Sequence, residues 1–288
     1  MPELFRFLRP KLRCQLKSTA LQQRHPASPG RFRERPQRES ISASPLAFSL
    51  VIVDQFAGYI VIVDISGYTG FVRLHRTAVV HAEQIITDLM ESVLDVHGPP
   101  LVLDKLLGDA AVFYGPDMDD GGGASAIAAQ VLRFFDVFNK SEAVLVSCNL
   151  CVCDACQQMD QLRLKAIMHH GELIVKEMGG RTELAGPDII LAHRLLKNTV
   201  EGDEYILMTQ AFHDRAGDLE GMSPHHAQED TDMGPVDLVV FYPNYGSRPL
   251  PEATWSARLK QFVRTEAKGA VRLVKGRSER EFLNLPAD

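Results

Sequence analysis

Two apolar runs that each deliver an acid into a turn constrain this chain more than any other feature. The first is Gly58 to Phe71, GYIVIVDISGYTGF, and the second is Asp104 to Gly115, DKLLGDAAVFYG. A short apolar run rich in β-branched residues and bounded by turn signals reads as a buried strand. The first run ends at Asp64 and a Gly-containing turn, and the second places Gly108-Asp109 between two apolar runs, so Asp109 sits near the tip of a hairpin. Arg73 to Pro100, between them, can form one helix and a turn, the connection needed to lay two strands side by side in one sheet. Asp64 and Asp109 are therefore the candidate chemical centre, because two carboxylates brought together at strand ends can share divalent cations.

Composition narrows the class of partner. A chain of 288 residues can bury a sizeable core, and one compact domain with extensions fits that length. The formal net charge of -6 argues against a general nucleic-acid binder, whose surface must neutralise phosphates, and favours a small-molecule partner. No stretch approaches the roughly 20 consecutive apolar residues of a membrane span, so the expectation is a soluble, cytoplasmic protein without a transmembrane segment. Four of the five cysteines, Cys148, Cys151, Cys153 and Cys156, lie so close together that a spaced disulfide framework is disfavoured and a reducing compartment preferred.

Residues 1–45 read as a disordered basic tail, with ten Arg and Lys against Glu3, Glu34 and Glu39 and with Pro and Ser through the second half. A transit peptide and a misassigned start are the other readings of that stretch. Residues 46–246 form the main domain. Leu46 to Asp54 repeats the VIVD of 61–64, but only the second copy runs into a glycine turn and a helix, so Asp54 is taken as a strand end. Ala82, Ile85, Ile86, Leu89, Met90, Val93 and Leu94 recur at helical spacing, closed by His97, Gly98 and two prolines. Asp117, Asp119 and Asp120 fall in a polar loop that lacks the Glu of a calcium loop and is expected to be solvated, and Ile127 to Phe138 trace a second helix.

Leu164 to Met168 and Glu172 to Val175 read as adjacent strands joined by a His169-His170-Gly171 turn, with histidines that satisfy local hydrogen bonds. Gly186-Pro187 opens a helix bearing Arg194 and Lys197. Glu204 to Thr209 is a strand, Gln210 to Ala216 a short helix, and Val236 to Tyr242 a last strand, with His225 and His226 in a polar connection. Residues 247–288 form a basic amphipathic helical extension that docks on its own core or on a partner, with a weak contact to an anionic membrane as the other reading.

The cysteine insert at 148–156 supports two readings. Four thiolates can close a structural zinc site, although nine residues make a cramped cage. Reduced, partly buried cysteines are the alternative.

This order of elements predicts an α+β fold of ferredoxin-like type, a mostly antiparallel sheet covered by helices. On these residues the chain resembles the catalytic domains of class III adenylate and guanylate cyclases. IVDISGYTGF is similar to their metal-binding strand and turn, LDKLLGDAAVFY to their Lys-x-x-Gly-Asp hairpin, IMHHGEL to their Gly-Ile-His-x-Gly strand, and ELAGPDIILAHRL to their Gly-x-x-Val-Asn-x-Ala-x-Arg helix. HRLLKN and the clustered cysteines resemble an uncharacterised bacterial branch of that superfamily.

The resemblance implies two magnesium or manganese ions held by Asp64, Asp109 and the carbonyl of Ile65. It implies that Ser66, Gly67, Tyr68 and Thr69 offer backbone N–H groups to a nucleoside triphosphate. Lys105 and Glu183 would read the base, with adenine favoured over guanine, and Arg194 would be the transition-state arginine. These base and arginine contacts would cross a homodimer interface. Two positions depart from the pattern: Ile190 stands where the family has a ribose-orienting asparagine, and no triphosphate lysine lies near Gly234-Pro235-Val236. Cyclic nucleotide synthesis, a degenerate nucleotide-binding regulatory dimer, and a metal-dependent interaction module built on the cysteines are the functions that follow.

Overall fold

The structure is a computed structural model that describes residues 53–68, 71, 79–117, 122–178, 181–243 and 250–263. The predicted tail, Thr69, Asp119, Asp120 and most of the basic C-terminal extension lie outside those residues. The sheet contains β1 (Val53–Ser66), β2 (Val102–Leu107), β3 (Ala110–Pro116), β4 (Arg163–Met178), β5 (Arg181–Ala185), β6 (Tyr205–Thr209), β7 (His225–Thr231) and β8 (Gly234–Phe241). Its order is β2-β3-β1-β4-β6-β8-β7, with β5 also on β4. All neighbours are antiparallel except β4 and β6, so the fold is the mixed α+β arrangement with a mostly antiparallel sheet.

Two-residue alternation along β1 divides the core. Tyr59, Val61, Val63 and Ile65 face one layer, with α1 (Val79–Leu94), α2 (Gly123–Ser147), the short α3 (Asp154–Gln157) and α5 (Gln210–Ala216). Ile60 and Ile62 face the other, where Ile189 and Ala192 of α4 (Pro187–Arg194) and Leu195 of the following 3-10 turn pack. Gly186 adopts a positive φ of 118°, which a side chain would resist, and Pro187 begins α4 as its first helical residue. Asp64 shares the parity of Ile60 and Ile62 and so reaches the α4 side at the end of its strand.

Three sequence expectations need correction. His169-His170-Gly171 is not a turn, because β4 runs unbroken from Arg163 to Met178 and pairs with β1 from Arg163 to Lys176. Its first half also lies parallel to β6 and its second half antiparallel to β5. Gly171 is required for space: a Cβ there would lie 2.3 Å from Asp188 Oδ2, which accepts the Glu172 N–H at 2.6 Å. His225 and His226 belong to β7, an exposed edge strand whose polar sequence gives no period-two signal. Asp117 is not a free loop acid. It accepts hydrogen bonds from Tyr59 Oη (2.6 Å), His170 Nε2 (2.8 Å) and Arg215 Nε (3.3 Å).

A helix spans 255–263, where Trp255 stays exposed while Gln261 and Phe262 line a cavity with Leu145 and Cys148. No helix among the described residues is long and apolar enough to cross a membrane.

Candidate functional site

The register of three strands assembles the acid pair. Asp64 lies opposite Ala110 of β3, and Asp109 immediately precedes Ala110 in the two-residue turn that joins β2 to β3. Gly108 supplies the positive φ of 65° that this turn needs. The Ile65 N–H donates to the Asp109 carbonyl at 3.3 Å, pinning the hairpin tip to the end of β1, and the two carboxyl groups face one another closely enough to interact electrostatically. Burial, reinforced by the facing Asp64 charge, pushes the Asp109 carboxyl up to about 6.

Lys165 is a member of this group that sequence reasoning missed. It lies directly opposite Asp64 on β4, its ammonium is 3.0 Å from Asp64 Oδ2, and it also donates to the Leu196 carbonyl at 3.3 Å. No linear motif marks it, since only the β1–β4 register brings it to the acid.

Beyond Asp64, Ser66 is buried at the end of β1 and Gly67 turns the chain with a φ of 87°. The Phe71 N–H returns to the Gly67 carbonyl at 2.8 Å, one helical turn. Tyr68 donates to Glu83 Oε1 of α1 at 2.9 Å. Burial raises its hydroxyl above the ordinary range, helped by the bond to Glu83 and by the charges of Glu83 and Asp109, so this ring borders the acid pair.

The remaining expected residues have other neighbours. Lys105 on β2 pairs with the largely buried Asp104 at 3.1 Å. His193 of α4 is held below its usual range by burial and by the Lys105 charge, against the opposing pull of Asp104, which places α4 beside the β2 hairpin. Glu183 lies mid-β5 opposite Lys176, partly exposed. Arg194 ends α4 and pairs with Asp232 in the β7–β8 turn. Ile190 is exposed on α4. Within one chain, then, the structure groups Asp64, Ile65 and Asp109 with Lys165 on Asp64, while Lys105 and Arg194 pair with Asp104 and Asp232.

The cysteines separate in the same way. Cys151, Cys153 and Cys156 come together, but Cys148 is buried at the end of α2 beside Ser147 Oγ, 3.9 Å away. The fourth member of the group is His81 of α1, whose Nδ1 faces all three sulfurs. The sequence placed Cys148 in that role because it lies nearby along the chain.

Comparisons agree with this architecture. A family model described as a protein of unknown function, DUF2652, matches residues 86–205. An uncharacterised protein of Mycobacterium tuberculosis is 36% identical over 125 residues, which is 43% of this chain and 57% of that protein, so the match spans little more than half of the relative. Among solved structures, the adenylyl cyclase CyaB from P. aeruginosa superposes with a TM-score of 0.51 at 15% identity, covering 69% of this chain and 100% of that one. The guanylyl cyclase Cya2 gives 0.50 at 17% identity over 69% and 98% of the two chains. A bacterial light-regulated adenylyl cyclase gives 0.50 at 13% identity over 74% and 57%. The chain has the fold of class III adenylyl and guanylyl cyclase catalytic domains.

Proposed function

We propose that this protein is a nucleotidyl cyclase of class III type that converts ATP, in preference to GTP, into the 3′,5′-cyclic nucleotide and pyrophosphate as a homodimer. The observation that carries the reading is the convergence of Asp64 and Asp109 at the end of the central strands of this fold. The donors fit the group they would hold. They are hard oxygen ligands, and the Asp109 carboxyl, raised by burial and then by the facing Asp64 charge, is a site where divalent cations would offset the cost of ionisation. Asp64, Asp109 and the Ile65 carbonyl would hold two magnesium or manganese ions, which when bound acidify the ribose 3′-hydroxyl and offset the triphosphate charge.

The chain's own groups would do the rest. Backbone N–H groups from Ser66 to Thr69 would orient the phosphates. Lys105 and Glu183 would read the base edge, and the Arg194 guanidinium would meet charge developing on the α-phosphoryl oxygens. A bond forms between the 3′-oxygen and the α-phosphorus while the bond to the β-phosphate oxygen breaks and pyrophosphate leaves. Lys105 and Arg194 each pair with an acid other than Asp64 and Asp109, which supports a site completed by a second copy, and exposed Val102, Leu106 and Leu107 on the β2 strand give that copy an apolar surface to cover.

Ile190 favours a second reading, a degenerate nucleotide-binding regulatory dimer, because its side chain cannot hydrogen-bond a ribose. Purified protein with manganese and ATP is expected to release cyclic AMP, and Asp64→Ala or Asp109→Ala to abolish it. Absence of product from ATP and GTP with either metal, while nucleotide still binds, would establish the second reading instead.

A further inference from the structure

His81, Cys151, Cys153 and Cys156 converge from two separated parts of the chain. His81 lies in the first turn of α1, and the cysteines lie 70, 72 and 75 residues later, on the connection between α2 and β4 and in α3. From His81 Nδ1 the sulfurs of Cys153, Cys151 and Cys156 are 3.4, 3.5 and 3.7 Å away. All four donor atoms lie within 4.8 Å of one another. Tetrahedral zinc with ordinary bond lengths to sulfur and nitrogen separates a nitrogen from a sulfur ligand by about 3.6 Å. The three nitrogen-to-sulfur spacings therefore match those of a tetrahedral zinc shell.

The supporting shell is also built. Asn149 Oδ1 accepts the Cys151 N–H at 2.9 Å while its Nδ2 donates to the Cys156 carbonyl at 2.9 Å. Gln157 Nε2 donates to the Cys151 carbonyl at 2.9 Å. These bonds fix the loop that presents the cysteines, although Val152 within it is almost fully exposed and supplies no core packing. A loop held in this shape with its sulfurs turned inward is what a metal-ligand loop requires.

We infer that His81, Cys151, Cys153 and Cys156 form a structural zinc site that cross-links the start of α1 to the segment between α2 and β4. Three thiolates and an imidazole are soft to borderline donors, which select zinc over the magnesium or manganese that carboxylates prefer. With four protein ligands the shell is closed, so the site contributes to folding and not to chemistry. Its position gives it a second consequence. Glu83, two residues after His81, holds the Tyr68 hydroxyl in the turn that follows Asp64, so anchoring α1 also anchors that turn. The inference stands on the cysteine and histidine geometry and does not depend on the cyclase reading.

The test is elemental analysis of the full-length protein, purified without added metal, together with its variants. One zinc per chain is expected, retained in Cys148→Ser and largely lost in His81→Ala and Cys153→Ser. Replacement by cobalt should give thiolate charge-transfer bands and tetrahedral visible bands, with the charge-transfer band weakened in Cys153→Ser. Alkylation mapped by mass spectrometry keeps the site testable if a variant fails to fold: in the wild type Cys151, Cys153 and Cys156 should react only after a zinc chelator is added. Chelation should also lower Tm by roughly 10 °C or more. A chain without stoichiometric zinc, a disulfide among these cysteines, or loss of zinc in Cys148→Ser with retention in His81→Ala would overturn the inference.

Discussion

Replacing Asp109 by Asn should stabilise the protein while abolishing the proposed cyclase activity. The Asp109 carboxyl, pushed from 3.8 to about 6, binds its proton more tightly in the folded chain than in the unfolded one. Its contribution to stability is therefore fully present below pH about 4 and is lost as the pH rises through about 6. Above that, both states carry the ionised acid, but only the folded state holds it buried beside Asp64. At 1.36 kcal/mol per pH unit the cost would be roughly 3 kcal/mol, and partial solvent access to the turn reduces it to on the order of 1.5 kcal/mol.

An asparagine keeps the shape, stays neutral, and can donate a hydrogen bond to Asp64. Urea unfolding at pH 7.5 without added magnesium or manganese should thus show Asp109→Asn more stable by about 1.5 kcal/mol, and by about a third of that at pH 4.5. Millimolar magnesium should stabilise the wild type and leave the variant unchanged. An Asn variant that is no more stable than the wild type at pH 7.5, or that gains equally at both pH values, would refute the view that ionising the buried Asp109 beside Asp64 costs the folded chain stability.

Lys165→Met should cost about 1 to 3 kcal/mol in urea unfolding at pH 7.5, because it strips the cation from Asp64, and divalent metal should restore part of the loss. Asp117→Asn should cost roughly 1 to 2 kcal/mol at pH 7. Burial alone would raise the Asp117 carboxyl, but the hydrogen bonds from Tyr59, His170 and Arg215 outweigh it and hold the group below its usual range. The wild-type advantage is therefore present above pH about 4 and should fade as the pH falls further, which denaturation at pH 3.5 would measure. If the proposed cyclase reading holds, Ile190→Asn, at an exposed helix position, should supply a ribose-binding amide and raise kcat about tenfold in the cyclase assay with unchanged stability.

Much of the fold was legible because the signals are local. The apolar runs around Asp64 and Asp109, the helical spacing from Ala82 to Leu94, and the Gly186-Pro187 helix start each reside in one short segment, and each forms the predicted element. His169-His170-Gly171 misled because a glycine has two uses. Here it clears room for Asp188, 17 residues away in the chain, and does not turn the backbone. β7 was invisible because its pairing with β8, and not burial of alternate side chains, holds it in place.

The sequence alone determined which residues carry reactive groups and on what kind of element each one sits, because period, turn chemistry and residue type are properties of contiguous stretches. Tertiary structure decided which of those groups meet. Strand register set Lys165 against Asp64, helix packing brought His81 to three cysteines and left Cys148 aside, and the return of β4 beside β1 placed His170 on Asp117. Such meetings depend on distances between segments that are far apart along the chain, and the packing of the whole core fixes those distances.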